Sequence, residues 1–357
     1  MVRKMSKLFG EELSKMQVLE RVGHISQIAG VKRYRLEEGK KDSLLAVDMV
    51  NGSGINITVL PGRGMDIANA TYKGIPLAWI SKCGLASISY YERSGIGWLR
   101  NFSGGLLTTC GLTYAGAPCV DNGEELGLHG RISNIEADEV CAYGEWIKED
   151  YFIKTSGKVF QNQVLGENIS LTREISMKLG ENKIFINDVI ENFGFESQPF
   201  MIIYHMNFGF PLVGKDTKLY VTAKSTEGAN DHAEQCKDEY NMFSSPINGI
   251  EESVFYHKCY GDNKNFGHST LINEKHKIGV SLSFNLNELE NLNEWKMMGQ
   301  GDYVVAMEPS NCKTLGRFKE REKGQLKYIQ PGETKHISII VEILDGEEAI
   351  KNNLLIY

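Results

Sequence analysis

Residues 169–177 read ISLTREISM and residues 183–192 read KIFINDVIEN, with Gly180, Glu181 and Asn182 between the two runs. In the first run Ile169, Leu171, Ile175 and Met177 share one parity, and Ser170, Thr172, Glu174 and Ser176 share the other. Successive side chains of an extended strand point to opposite faces, so the pattern predicts a half-buried antiparallel strand. Gly-Glu-Asn is turn chemistry, and the second run returns with Ile184 and Ile186 inward, followed by Val189 or Ile190. A period of two, rather than 3.6, sets the fold class.

The same period recurs on both sides of this hairpin. Asn51-Gly52 separates LLAVDMV from INITVLP, the strongest short-range hairpin signal a sequence offers. The run KHISIIVEIL follows Pro331-Gly332 and closes the pattern, so strands are expected from about residue 20 to 345. Helical spacing is scarce. Leu8, Phe9, Leu13 and Met16 predict a short helix within an N-terminal extension of about residues 1–18, and shorter helical patterns lie near 233–241 and 286–295. No Pro- or Ser-rich linker, low-complexity tract or long repeat divides the chain. The expected architecture is all-β, a large antiparallel β-sandwich with a few short helices, in a single domain over residues 1–357.

Composition narrows the function. The chain has 357 residues, with 37 glycines against 8 prolines, which suits many tight turns better than disorder. A net charge of −7, with no lysine- or arginine-rich run, argues against nucleic-acid or anionic-membrane partners. The N-terminus lacks a signal-peptide apolar stretch and no window approaches a membrane span, so the sequence reads as cytosolic. Seven cysteines form no CxxC pair and read as reduced thiols. His232 and Cys236, four residues apart, lack the further ligands a zinc site needs.

Four segments depart from the strand pattern and carry chemistry. In PGRGMDI, Gly62 and Gly64 flank Arg63; the backbone there could approach a ligand, or form a bulge with an Arg63–Asp66 pair. From Gly97 to Gly130 the chain is rich in glycine and hydroxyls and collects Trp98, Arg100, Phe102, Asp121 and His129, a composition suited to a pocket. In MIIYHMNFGFPL, His205 and Asn207 share one face of an apolar strand, which is costly unless they are hydrogen-bonded or face a site. In DYVVAMEPSNC, Glu308 emerges at a strand end among apolar residues; desolvation there raises a carboxyl pKa and makes a better base.

The order and spacing of PGRGMDI, FSGGLLTTCGL, LGLHGR, YHMNFGFPL and LNEWK resemble the galactose mutarotase-like (aldose 1-epimerase-like) superfamily, in an uncharacterised bacterial branch. The resemblance spans roughly residues 20 to 345. It implies a β-supersandwich that binds a monosaccharide in a cleft and interconverts its α and β anomers without metal or organic cofactor. It further implies Glu308 as general base, His205 as general acid and His129 as a hydrogen-bonding partner of the sugar. Leu128-His129-Gly130 matches the superfamily's first histidine string directly, whereas Tyr204-His205-Met206-Asn207-Phe208 matches the second less closely. The superfamily's Gly-Asn-Arg sugar-contacting motif has no clean counterpart, and Arg100-Asn101 or Arg63 stand in for it. Further substrate-binding candidates are Trp98, Tyr114, Asp121, Asn207, Trp295, Lys296 and Asn311. Two other readings stay open: a sugar-binding or regulatory protein without turnover, and a metal-dependent isomerase using the two histidines and the glutamate. The sequence names neither the sugar nor the oligomeric state, and a homodimer is compatible with it.

Overall fold

A computed structural model describes residues 5–357. The hairpin at 169–192 forms as strands Asn168–Lys178 and Lys183–Asn192, with Ile175 opposite Ile186. It lies within an eight-stranded antiparallel sheet that runs Asp138–Ile147, Asp150–Asn162, Asn168–Lys178, Lys183–Asn192, Thr334–Asp345, Ile278–Asn285, Phe266–Asn273, Thr217–Val221. Ile169, Leu171, Ile175, Met177, Ile184, Ile186 and Ile190 are all buried, so Ile190, not Val189, continues the inward parity.

Arg173 shares that inward parity and is completely buried. Its side chain meets Asp188, directly opposite on the next strand, through Nε to Oδ1 at 2.8 Å and Nη2 to Oδ2 at 2.6 Å. Nη1 donates to Thr109 Oγ1 at 2.8 Å and lies 3.3 Å from Asp66 Oδ1, while the Tyr204 hydroxyl donates to Asp188 at 2.6 Å. Burial pushes the Asp66 carboxyl up to about 7, and Arg173 holds it back from rising further.

The strands that cross-link to this cluster belong to a second sheet. In chain order they are β1 (Thr108–Leu112), β2 (Gln198–Gly209), β3 (Ala223–Gly228), β4 (Ser253–Cys259), β5 (Asn291–Met298), β6 (Tyr303–Ser310) and β7 (Lys327–Ile329). They are arranged β3-β4-β5-β6-β2-β7, with β1 also paired to β2. On β2, Tyr204, Met206 and Phe208 join the large core with the eight-stranded sheet. Ile203, His205 and Asn207 therefore point to the opposite face, where a smaller apolar cluster of Trp98, Phe102, Tyr114, Met201 and Ile203 sits under the 79–136 loops. A five-stranded sheet over 29–76 completes the fold.

Helical expectations fare less well. Residues 6–13 form a short hairpin, Ser6–Leu8 with Glu11–Leu13, turning through Phe9 and Gly10 at positive φ. The helix begins only at Lys15, capped by the Ser14 side chain, and ends at Leu19. Leu8 and Leu13 are buried while Phe9 and Met16 are exposed, so the apolar spacing that suggested one helix spans two elements. Residues 1–4 of the expected extension lie outside the described residues. Near 286–295 the helical pattern is overridden: a turn at 286–289 leads into β5, which hydrogen-bonds to β4 and β6 on both sides. The 233–241 pattern gives only the short helix Asp231–Gln235 and one further turn. All seven cysteines are free.

Candidate active site

Two neighbouring strands place the central pair. His205 on β2 and Glu308 on β6 point to the outer face of the sheet, with His205 Nε2 3.2 Å from Glu308 Oε1. His129 arrives from a loop at φ +60°, held by its own N–H to the Gly116 carbonyl at 2.9 Å and by the Gly111 N–H on its carbonyl at 3.1 Å. Gly130 beside it has φ +80°, and a Cβ there would lie 2.4 Å from the carbonyls of Gly111 and Tyr114. Only glycine fits, so this loop is shaped by backbone crowding rather than by a need to expose the ring. The two imidazoles stand edge-on, 5.8 Å between centroids.

Aromatic rings wall the space around them. Trp98 lies 4.7 Å from His129, Phe102 5.2 Å and Trp295 5.6 Å from His205. The cavity they enclose measures about 310 Å³, at the lower end of the range for small-molecule sites. Glu252 stands at its rim and accepts a hydrogen bond from Trp295 Nε1 at 2.7 Å.

Burial sets the proton inventory. It pushes Glu308 up to about 8, with Glu252 and Glu294 adding negative charge nearby. It pushes His129 down to about 4, and His205 to about 3, the latter also through His129. At neutral pH burial thus favours the uncharged forms, a protonated Glu308 carboxyl beside a neutral His205 imidazole. His129 Nδ1, His205 Nδ1 and Glu308 Oε2 are buried without any hydrogen-bond partner. Such atoms cost free energy unless something else satisfies them.

The expected binding residues separate into two groups. His129, His205, Glu308, Trp98 and Trp295 line the cavity together. Arg63 does not: it is buried and spends both terminal nitrogens on Ala86, Asn101 and Asn134, tying down the loop that carries Trp98 and Phe102. Gly64 beside it would place a Cβ 2.7 Å from the Ile132 carbonyl, so that glycine answers a chain crossing and not a ligand. Arg100 is exposed and paired with Glu92. Asp121 is held by Arg317 and Arg321, which clamp its hairpin to the helix Arg317–Glu322. Asn207 donates to the carbonyls of Gly105 and His205, and Asn311 bridges Ile202 and Phe200. Lys296 points away from Trp295, as strand alternation requires, and reaches the Glu239 carbonyl at 2.8 Å. Tyr114 packs in the apolar cluster outside the cavity lining.

Sequence reasoning missed Trp79 and Glu252. Trp79 packs against Phe102 and Trp295. Glu252 has the parity of Val254 and Tyr256 on β4, an alternation that was readable but short. Among the described residues, no group of three or more His, Cys, Asp or Glu side chains is arranged to hold a metal ion.

Comparison with solved structures agrees with this architecture. A candidate aldose 1-epimerase from Klebsiella pneumoniae superposes with a TM-score of 0.87 at 22% identity, over 95% of this chain and 88% of that one. A galactose mutarotase-like protein from Clostridium acetobutylicum gives 0.63 at 14% identity, over 89% and 99%. Galactose 1-epimerase from Lactobacillus acidophilus gives 0.60 at 12% identity, over 89% and 100%. At these identities the likeness establishes the galactose mutarotase-like fold. No curated protein sequence matches. Residues 41–343, which hold every side chain of the cavity, match one family model, and the chain belongs to that family, the Domain of unknown function (DUF4432).

Proposed function

We propose that this pocket takes the ring of a free aldose and interconverts its α and β anomers. The observation that carries the reading is the His205–Glu308 contact: a buried acid–base couple at 3.2 Å whose residues, with His129, line an aromatic-walled cavity and carry unpaired polar atoms. The names of the structural relatives point to the same chemistry.

Anomerisation needs a proton removed from the C1 hydroxyl and a proton delivered to the ring oxygen. The ring then opens, C1–C2 rotates, and closure on the other face reverses both transfers. Each group therefore serves once as acid and once as base, and the couple must start with one proton between its members. Once its own proton has passed to His205 across the 3.2 Å contact, Glu308 accepts the hydroxyl proton and His205 delivers to the ring oxygen, with His129 Nδ1 engaging a neighbouring hydroxyl. Ionising Glu308 next to His205 favours the protonated imidazole, so the proton passes within the pair. Positioned acid–base catalysis is worth about 10²–10⁴-fold, enough for a reaction that already proceeds in water. Trp98, Phe102 and Trp295 supply apolar faces for the C–H surfaces of the ring.

Polarimetry or exchange NMR on a panel of aldoses tests this. Faster equilibration than buffer, lost in Glu308→Gln and His205→Asn, is expected. Equilibration at the buffer rate for every sugar would leave binding without turnover as the surviving function.

A further inference from the structure

The cavity is polar at its floor and apolar at its mouth. Glu308, His205 and His129 line the bottom, where each keeps a buried polar atom without a partner. Above them the lining passes to Ile96, Leu99, Ala117, Pro118, Leu128 and Val254. Ile96 is 65% exposed and Leu99 48%, so two large aliphatic side chains stand in water at the rim of a site. Such surface is stabilised when an apolar part of a ligand covers it.

Among the described residues, no Lys, Arg, Asn or Gln side chain lines this cavity. The polar side chains nearer the mouth are largely engaged with one another. Trp295 Nε1 donates to Glu252 at 2.7 Å, and Thr314 Oγ1 lies 2.8 Å from the Tyr256 hydroxyl. The backbone is engaged as well. The Leu99 N–H meets the Ile96 carbonyl at 3.0 Å, and the Leu128 N–H meets the Gly95 carbonyl at 2.9 Å. The Ala117 N–H meets the Thr314 carbonyl at 2.9 Å, and the Ala229 N–H meets the Val254 carbonyl at 2.8 Å. What the mouth still offers a hydroxyl is the second oxygen of Glu252, which has no hydrogen-bond partner among the described residues.

That balance narrows the substrate. A phosphorylated, sulfated or carboxylated sugar would bring an anion to a cavity without a cation, beside two carboxyl groups. A common hexose, held with its C1 hydroxyl at Glu308, its ring oxygen at His205 and its C2 hydroxyl at His129, leaves the hydroxyls on C3, C4 and C6 for the mouth. Glu252 can serve one ring edge. A hydroxyl on the exocyclic C6, which projects beyond the ring, would be desolvated against aliphatic carbon with nothing to bond. A methyl group at that position meets surface of its own kind.

We infer that this cavity is built for an uncharged 6-deoxyhexose, whose exocyclic methyl group packs on the apolar lip of Ile96, Leu99 and Leu128. This rests on the reading of the pocket as an aldose site and adds the class of aldose.

Matched pairs that differ only at O6 test it: D-galactose with D-fucose, D-glucose with 6-deoxy-D-glucose, and L-mannose with L-rhamnose. Exchange NMR gives kcat/KM for each sugar, in the wild type and in the double variant Ile96→Ser/Leu99→Ser, which changes two exposed side chains outside the core. In at least one pair the 6-deoxy sugar should lead by about tenfold, the effect of one methyl-sized group in an apolar pocket. The variant should bring that ratio to within about twofold of unity. A lead under about threefold in every wild-type pair, or a lead that the variant leaves intact, overturns the inference. If no sugar is turned over, the epimerase reading falls by itself, and saturation-transfer NMR on the same pairs decides the inference. Tighter binding of a 6-deoxy sugar, weakened in the variant, upholds it; equal binding within every pair, or no binding, sinks it.

Discussion

Tyr204 and His205 are neighbours on one strand, and each joins a buried ionisable cluster, on opposite faces of the same sheet. Around Tyr204, the Arg173, Asp188, Asp66 and Thr109 groups satisfy one another, with two parallel contacts between Arg173 and Asp188. On the other face, one atom each of His129, His205 and Glu308, and Oδ1 of Asn207, are buried without a partner. Depth is the same on both faces; completeness is not. A fully paired cluster joins two sheets and has nothing left to offer a ligand, whereas an unfinished one retains hydrogen-bonding capacity at a cost in stability.

The comparison is broken most severely at Glu308. Glu308→Gln keeps shape and an amide donor near His205 but removes the exchangeable proton, so anomer exchange should fall by about 10²–10⁴-fold with sugar binding retained. Exchange NMR alongside a binding titration checks this; an unchanged rate would mean that the pair does not carry the chemistry. On the other face, Arg173→Met strands Asp188 and Asp66 without their counter-charge and should cost about 3–5 kcal/mol in urea unfolding. The fraction that remains folded should keep its kcat, because no Arg173 atom reaches the cavity.

Proton occupancy gives a third, smaller test. The proton of the His205–Glu308 couple leaves as pH rises through about 8, so the rate should be flat near neutrality and fall about tenfold per unit well above that value. A rate that instead climbs through pH 8 would show that the fully ionised couple is the active form.

The same carboxyl supplies the subtlest test. Its folded-state pKa, about 8, lies above the ordinary value of 4.5. The native state therefore binds more protons than the unfolded chain between those limits, and wild-type stability is lost as pH rises across them. Glu308→Gln lacks this term, so its Tm relative to wild type should increase from about pH 4.5 to about 8 and then level off. A Tm difference that is constant with pH would indicate a carboxyl already ionised in the folded protein.

Legibility followed the range of the interaction. His205 and Glu308 were readable because each is a polar residue on an apolar strand, where alternation alone makes it costly. His129 was readable from its glycine-flanked string, although the flanking Gly130 proves to serve backbone packing. Arg63, Asp121 and Asn311 carry the same kind of signal, a polar residue in a special local setting, yet the fold gives them partners from distant segments, and Asn207 spends its amide group on the Gly105 and His205 carbonyls while its Oδ1 stays unpaired. Asp121, for example, meets Arg317 and Arg321 some 200 positions away. The helical pattern over 286–295 puts Trp295 near a helix end; its orientation into the cavity, and that of Lys296 away from it, follows from β5 being a strand.

The sequence by itself determined the β period, the 169–192 hairpin and the polar residues that the strands could not bury cheaply, because those depend on parity between near neighbours. Tertiary structure alone decided which of those polar residues are paired and which are left open. Pairing is a property of strand register and loop crossing, and it brings Arg173 to Asp188 in the core while leaving His205 and Glu308 with buried polar atoms that no protein group pairs.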